Sequence, residues 1–183
     1  MRPDRLLKGN VGLQTLALFA GVDGPKGQPY EMGMKMLRAI DMLGIPVIAG
    51  RLPDAPPDAP HGVISIEGGE MLEGRLDRPH EFYNAWRVRM IALTWNHENE
   101  IGYPAMGGTS NRLKPFGREL LREMDELGVL VDVSHLNEAG FYDAAERTRL
   151  PIIASHSNLR DLCDVPRNLT REQVKCIIEK KGF

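Results

Sequence analysis

Between Val129 and Asn158, two short apolar runs, each followed by Ser-His, flank a segment of helix length. Val129-Leu130-Val131-Asp132-Val133 leads into Ser134-His135, and Pro151-Ile152-Ile153-Ala154 leads into Ser155-His156. Such β-branched, apolar runs read as strands covered on both faces. One helix between them predicts a βαβ unit with parallel strands, because only a crossover can join parallel neighbours. Parallel neighbours end at the same edge of the sheet, so His135 and His156 should emerge side by side. Paired neutral imidazoles there suit a zinc-type ion. The alternative is that each histidine merely begins a loop, since a lone His carries little information.

The same rhythm runs through the rest of the chain. Val11–Phe19 reads as a strand after a basic, turn-like leader with no strand in it. A Gly- and Pro-rich loop then leads to a helix over about residues 31–43, with Met32, Met36, Ile40 and Leu43 on one face as core filler and Gly44 as its stop. Residues 52–60 are proline-rich and read as a surface loop, not a domain boundary. Gly62–Ile66 is the next strand, and Gly68-Gly69 lets the chain turn sharply just after Glu67, presenting that carboxylate at the strand's C-terminal end. A helix cap or an exposed loop charge is an equal reading of Glu67 taken alone. A helix carrying Phe82, Trp86 and Arg87 leads into strand Met90–Thr94, which ends on the polar cluster Trp95–Asn99. Residues 115–127 form a helix with Pro115 in its first turn and Phe116, Leu120, Met124 and Leu127 on one side. Asn137 caps a helix to about Arg147, and Thr170-Arg171-Glu172-Gln173 is a capping box flanked by Leu169 and Val174 as a hydrophobic staple.

Successive strands thus each deliver polar groups at their C-terminal ends: Glu67, the Trp95–Asn99 cluster, His135 and His156. That is the pattern of a TIM (β/α)8 barrel; a doubly wound sheet gathers its site at one switch point. No G-x-G-x-x-G follows a strand and no P-loop is present, so nucleotide binding has no support. A closed barrel takes roughly 250 residues, and only about five strands are found in 183, so the expected α/β fold is one incomplete barrel domain over residues 1–183. With 26% charged residues and a net charge of -2, neither nucleic acid nor an anionic membrane surface is a favoured partner. No apolar run reaches membrane-spanning length, and the N-terminus lacks a signal-peptide core. Cys163 and Cys176 lack metal-ligand spacing and read as reduced thiols of a cytoplasmic protein.

Five blocks together resemble the membrane (renal-type) dipeptidases, peptidase family M19: SIEGGEML, LTWNHENEIG, GRELLREMDELGVLVDVSHLNEAGFYD, PIIASHSNLRDLC and VPRNLTREQV. The resemblance spans nearly the whole chain, in order and spacing. It implies a barrel of the amidohydrolase type with a two-zinc centre that hydrolyses dipeptides, some with a D-residue on the C-terminal side. By that resemblance Glu67 is the carboxylate that bridges both metals, and His135 and His156 bind one of the zincs. Arg167 would pair with the free C-terminal carboxylate of the dipeptide; on its own residues it reads as a surface arginine beside a helix cap. His97 would stand in for the histidine that polarises the scissile carbonyl, although the family's Leu-Thr-His is Leu-Thr-Trp here, with His97 two residues later.

The family's first strand also carries a His-x-Asp pair for the other zinc, and this sequence begins after the place for it. The family's late Asp, which takes a proton from the bridging water, belongs to a strand beyond Phe183. The expectation is therefore a partial chain that holds at most one fully liganded zinc and needs further strands for activity. Its first and last strands would be open edges, so a homo-oligomer or aggregate joined edge to edge is the expected association. A non-catalytic fragment, or another metal hydrolase of the amidohydrolase type, is the alternative function.

Overall fold

The computed structural model describes residues 2–21, 28–50 and 60–183. Most of the proline-rich loop expected over 52–60 lies outside the described residues. In chain order the elements are α1 (Pro3–Lys8), β1 (Leu13–Leu18), α2 (Pro29–Asp41), β2 (His61–Glu67), α3 (Asp77–Trp86), β3 (Val88–Ala92), α4 (Pro115–Leu127), β4 (Leu130–Asp132), α5 (Glu138–Arg147), β5 (Ile152–Ile153) and α6 (Arg171–Glu179). All five strands are parallel, and they lie side by side in sequence order. Sequential order with a helix after each strand is the arrangement of a (β/α)8 barrel, whereas a doubly wound sheet reverses direction at a switch point. The described residues form an incomplete barrel of five strands.

Register sorts the side chains into two rows. Leu18, Ile66, Ile91, Val131 and Ile152 align across all five strands, and none is more than 1% exposed. This row packs under the helices with Phe82, Leu120, Met124 and Phe141. The alternate row aligns Glu67 with Ala92, Asp132 and Ile153, and on that side Thr15, Ala17, Ser65 and Met90 border a cavity of about 230 Å³. Residues of period two on a parallel sheet therefore send apolar groups to the helices and polar groups to the site side.

Several elements differ from the sequence reading. The basic leader forms α1, with Pro3 in its first turn, Asp4 near its N-terminus and Lys8 at its end, each placed as the helix dipole favours. In α2 the buried stripe centres on Gly33 and Leu37, not on the methionines, because Met71 packs directly over Gly33, its Sδ 3.0 Å from where a Cβ would sit. The third strand starts two residues early and ends at Ala92, since Arg87 closes α3 in a left-handed turn that leads straight into Val88. Pro46–Ile48 runs beside Gly62, with Gly62 N–H donating to Pro46 O (2.9 Å) and Ile48 N–H to Gly62 O (2.8 Å). That segment covers the side of β2 that β3 reaches only from Ile64 onward. The caps on Asn137 and Thr170 form as read, the latter as a full capping box.

Helix α4 seats on the loop after β3 through Gly117, where an added Cβ would lie 2.3 Å from the Ile101 carbonyl oxygen. Alanine is the better helix former by up to about 1 kcal/mol, but Ile101 is fully buried and its backbone cannot retreat cheaply. Gly117→Ala is expected to lower stability by about 1–3 kcal/mol in urea unfolding; a gain in stability would show that α4 can move off the loop.

Candidate metal centre

Glu67 is the last residue of β2, and the chain leaves the sheet at once. Gly68 takes a φ of +81°, and a Cβ on Gly69 would fall 2.0 Å from Ile101 Cδ1 and 3.1 Å from the Leu93 carbonyl. Only glycine fits this approach. Gly68 and Gly69 N–H groups donate to Ala92 O (3.2 Å) and Leu93 O (3.3 Å), which extends the β2–β3 pairing and holds Glu67 at the sheet edge.

His135 lies three residues beyond Asp132, the end of β4, and adopts a left-handed φ of +69°. For a residue with a Cβ this conformation costs on the order of 1–3 kcal/mol. The turn is held by Ala105 N–H donating to His135 O (2.7 Å) and Leu136 N–H donating to Val133 O (3.1 Å). His156 follows β5 by the same interval. Its N–H donates to Ser134 Oγ (3.2 Å), and Ser155 N–H donates to Asp132 Oδ1 (3.1 Å), so the two loops are stitched together directly after their strands.

The three side chains meet. His135 Nε2 lies 2.8 Å from His156 Nε2, and the two nitrogens lie 3.5 and 3.3 Å from Glu67 Oε1. Outer partners decide which ring nitrogens carry protons. His135 Nδ1 faces the Asn96 side-chain oxygen Oδ1 at 2.9 Å, an acceptor to which an Nδ1–H donates. His156 Nδ1 faces Ser155 Oγ at 2.7 Å, whose own proton goes to Asp132 Oδ2. With both rings in that tautomer, each Nε2 would be bare and the two would converge with Glu67 Oε1 as acceptors. Burial first, then the positive charge of Arg167 and the neighbouring His156 ring, pushes the His135 pKa down to about 4, against the pull of Asp132. His135 is thus neutral at ordinary pH, as a metal ligand must be. In tetrahedral zinc sites, ligand atoms bonded at about 2.0–2.1 Å lie roughly 3.4 Å apart, so the two spacings to Glu67 fit such an ion and the His–His pair need open only slightly. Among the described residues this is the cluster of three or more potential ligands whose donor atoms all lie within 4.8 Å of one another.

Arg167 comes in from the loop between β5 and α6. Its Nη1 donates to Ser157 Oγ (2.8 Å) and its Nη2 to the His156 carbonyl (3.1 Å). Burial lowers its pKa, while Asp132 and Glu67 act to raise it. Among the described residues no carboxylate forms an ion pair with it, so a charged guanidinium stands beside the cluster without a counter-ion. His97 is exposed and does not join the cluster directly: its ring packs 5.8 Å from Trp95, which packs 6.2 Å from His135 and 4.8 Å from Phe19. Glu70, also at this end of the barrel, has its pKa raised by burial and receives Asn99 Nδ2–H at 3.2 Å. The roles of Asn96, Asp132 and Ser155 were not read from the sequence. Their signal is faint: a Ser before each His, and an Asp inside an otherwise apolar strand.

The family model for membrane dipeptidase, peptidase family M19, matches residues 2–183. A Klebsiella pneumoniae protein encoded in the 5′ region of pqqA is 36% identical over 126 residues, covering 66% of this chain and 46% of that protein. A dipeptidase of Schizosaccharomyces pombe is 31% identical over 122 residues, covering 66% of this chain and 30% of that protein. The fold matches that of a Rhodobacter sphaeroides metallopeptidase solved with a phosphinate mimic of the dipeptide L-Ala-D-Ala, with a TM-score of 0.87 at 23% identity, covering 98% of this chain and 62% of that one. It also matches a dipeptidase of family M19 with a TM-score of 0.89 at 24% identity, over 98% of this chain and 60% of that one. The chain spans less than half the length of the curated relatives named here. From the match over residues 2–183, the chain belongs to the membrane dipeptidase family, peptidase family M19.

Proposed function

We propose that this chain carries one metal site and the carboxylate-binding arginine of a zinc-dependent dipeptidase. The observation that carries the reading is the convergence of Glu67 Oε1, His135 Nε2 and His156 Nε2, three potential ligand atoms just beyond the ends of β2, β4 and β5. When bound, a zinc-type ion supplies Lewis-acid polarisation and activation of water near neutral pH. The residues of this chain supply the rest. Glu67 turns Oε1 toward the histidines, and its carboxylate would be the group shared with a further ion in a two-metal centre. Arg167 offers parallel N–H donors that match a free C-terminal carboxylate, with a geometry that lysine lacks. Among the described residues no carboxylate forms an ion pair with Arg167, which would leave that charge for the substrate. His97 is proposed to donate to the scissile carbonyl, reaching it from the Trp95 side. No helix among the described residues is long and apolar enough to cross a membrane.

Titration of the metal-free chain with zinc is expected to give at most one site per chain, weaker than a complete two-metal centre. His135→Ala should abolish it, while His80→Ala, whose ring pairs with Glu123 at 2.7 Å on α3 and α4, should leave it intact. Equal zinc binding by the His135 variant would refute the ligand set. With zinc loaded, Arg167→Lys is expected to weaken a dipeptide with a free carboxylate about tenfold or more without changing zinc content. The C-terminally amidated dipeptide should bind the unaltered chain as poorly as the variant binds the free acid. Equal binding of acid and amide by the unaltered chain would remove the carboxylate role.

A further inference from the structure

Asp132 touches none of the three converging atoms, yet it is only 2% exposed and sits at the point where the loops after β4 and β5 meet. Its Oδ1 accepts Ser134 N–H (3.0 Å) and Ser155 N–H (3.1 Å), and its Oδ2 accepts the Ser155 hydroxyl. An ionised carboxylate has only lone pairs to offer. The single Ser155 proton is therefore committed to Asp132, and the serine oxygen presents lone pairs to His156 Nδ1 at 2.7 Å. The imidazole can answer only by carrying its proton on Nδ1. That leaves Nε2 bare, pointing at Glu67 and His135.

We propose that Asp132 and Ser155 are positioning residues: Asp132 orients the Ser155 hydroxyl, and that hydroxyl holds His156 as the Nδ1–H tautomer with Nε2 exposed as an acceptor. The purpose of this tautomer rests on the metal-site reading above, but the relay itself does not. His135 is set independently, by Asn96. A carboxylate acting on a ligand histidine through an outer hydrogen bond typically changes metal affinity ten- to a hundredfold. Here one serine is interposed, so the carboxylate acts on the ring without touching it. Because the same Asp132 oxygens also take the two loop N–H groups, register of β4 against β5 and tautomer of His156 are fixed by one side chain.

The test is the tautomer of His156 in the metal-free chain, read from long-range ¹H–¹⁵N correlation spectra. The chain has 5 histidines, and the His156 signals are those lost in His156→Asn. The unaltered chain should show Nδ1–H and bare Nε2. Ser155→Ala should convert His156 to the Nε2–H form, or a mixture dominated by it. Ser155→Thr, which keeps the hydroxyl at an exposed position, should restore Nδ1–H. Asp132→Asn should convert it too, although Ser155 is intact, because the amide N–H₂ can donate to the serine oxygen and release its proton toward the ring. A merely structural role for Ser155 would leave the tautomer unchanged in folded Ser155→Ala, and that outcome overturns the proposal, as does an Nε2–H His156 in the unaltered chain. Zinc affinity is read separately on the same samples, with a loss of about ten- to a hundredfold expected in Ser155→Ala and recovery in Ser155→Thr. Tautomers that respond as stated in a chain that binds no zinc would uphold the relay and refute the metal reading.

Discussion

Three electron-rich atoms, Glu67 Oε1, His135 Nε2 and His156 Nε2, stand within 2.8–3.5 Å of one another, and the outer partners of both rings favour protons on Nδ1. Lone pairs at that separation repel, and in a partly buried setting the repulsion is poorly screened. A folded chain keeps such an arrangement only if stronger constraints impose it, and a cation placed among the atoms turns the cost into attraction. The constraints are visible in the backbone. Parallel strands in sequence order end at one edge, Gly68 and Gly69 remove the chain from above Glu67, and His135 accepts a left-handed backbone. Strain of this kind persists where the surroundings over-determine it, and such places cluster at functional sites.

Stability and chemistry are divided between the two rows of the sheet. The row through Leu18, Ile66, Ile91, Val131 and Ile152 carries the apolar packing against the helices. The alternate row carries Glu67 and Asp132 into the same register, one as a converging acceptor and the other as the hub for the loops beyond β4 and β5. One residue of slip would exchange the rows, sending both carboxylates under the helices and the aliphatic groups to the site. The register that builds the core therefore also builds the site, and neither can be altered alone.

How much of this was legible in the sequence follows from the range of the interactions. The five strands, the capping of α5 and α6, and the meeting of His135 with His156 depend on local pattern and on the rule that parallel neighbours share an edge. Those were readable from residues alone. Glu67 was presented correctly by its two glycines, but its partners had to come from strands 60 to 90 positions away in the chain. The role proposed for Arg167 came only through the family blocks, because a guanidinium beside a helix cap is ordinary. Asp132 and Ser155 escaped notice for a different reason: Asp132 sits inside a run read as buried strand, and its partners are fixed by cross-strand register that no local period encodes. On α2, Met36 and Ile40 pack against the core as read, but the fully buried positions are Gly33 and Leu37, because Met71 from the turn after β2 sits over Gly33. Short α1 was missed although Pro3, Asp4 and Lys8 signal it, since six residues leave no hydrophobic period to read.

X-ray absorption at the zinc edge, on the chain loaded with one equivalent of zinc, addresses the central claim directly, because it counts the imidazoles bound to the ion. The arrangement of Glu67, His135 and His156 requires two imidazole nitrogens at about 2.0–2.1 Å with the remaining near neighbours oxygen, and loss of one imidazole in His156→Asn. A first shell with sulfur from Cys163 or Cys176, or one with no more than a single imidazole in the unaltered chain, would contradict it.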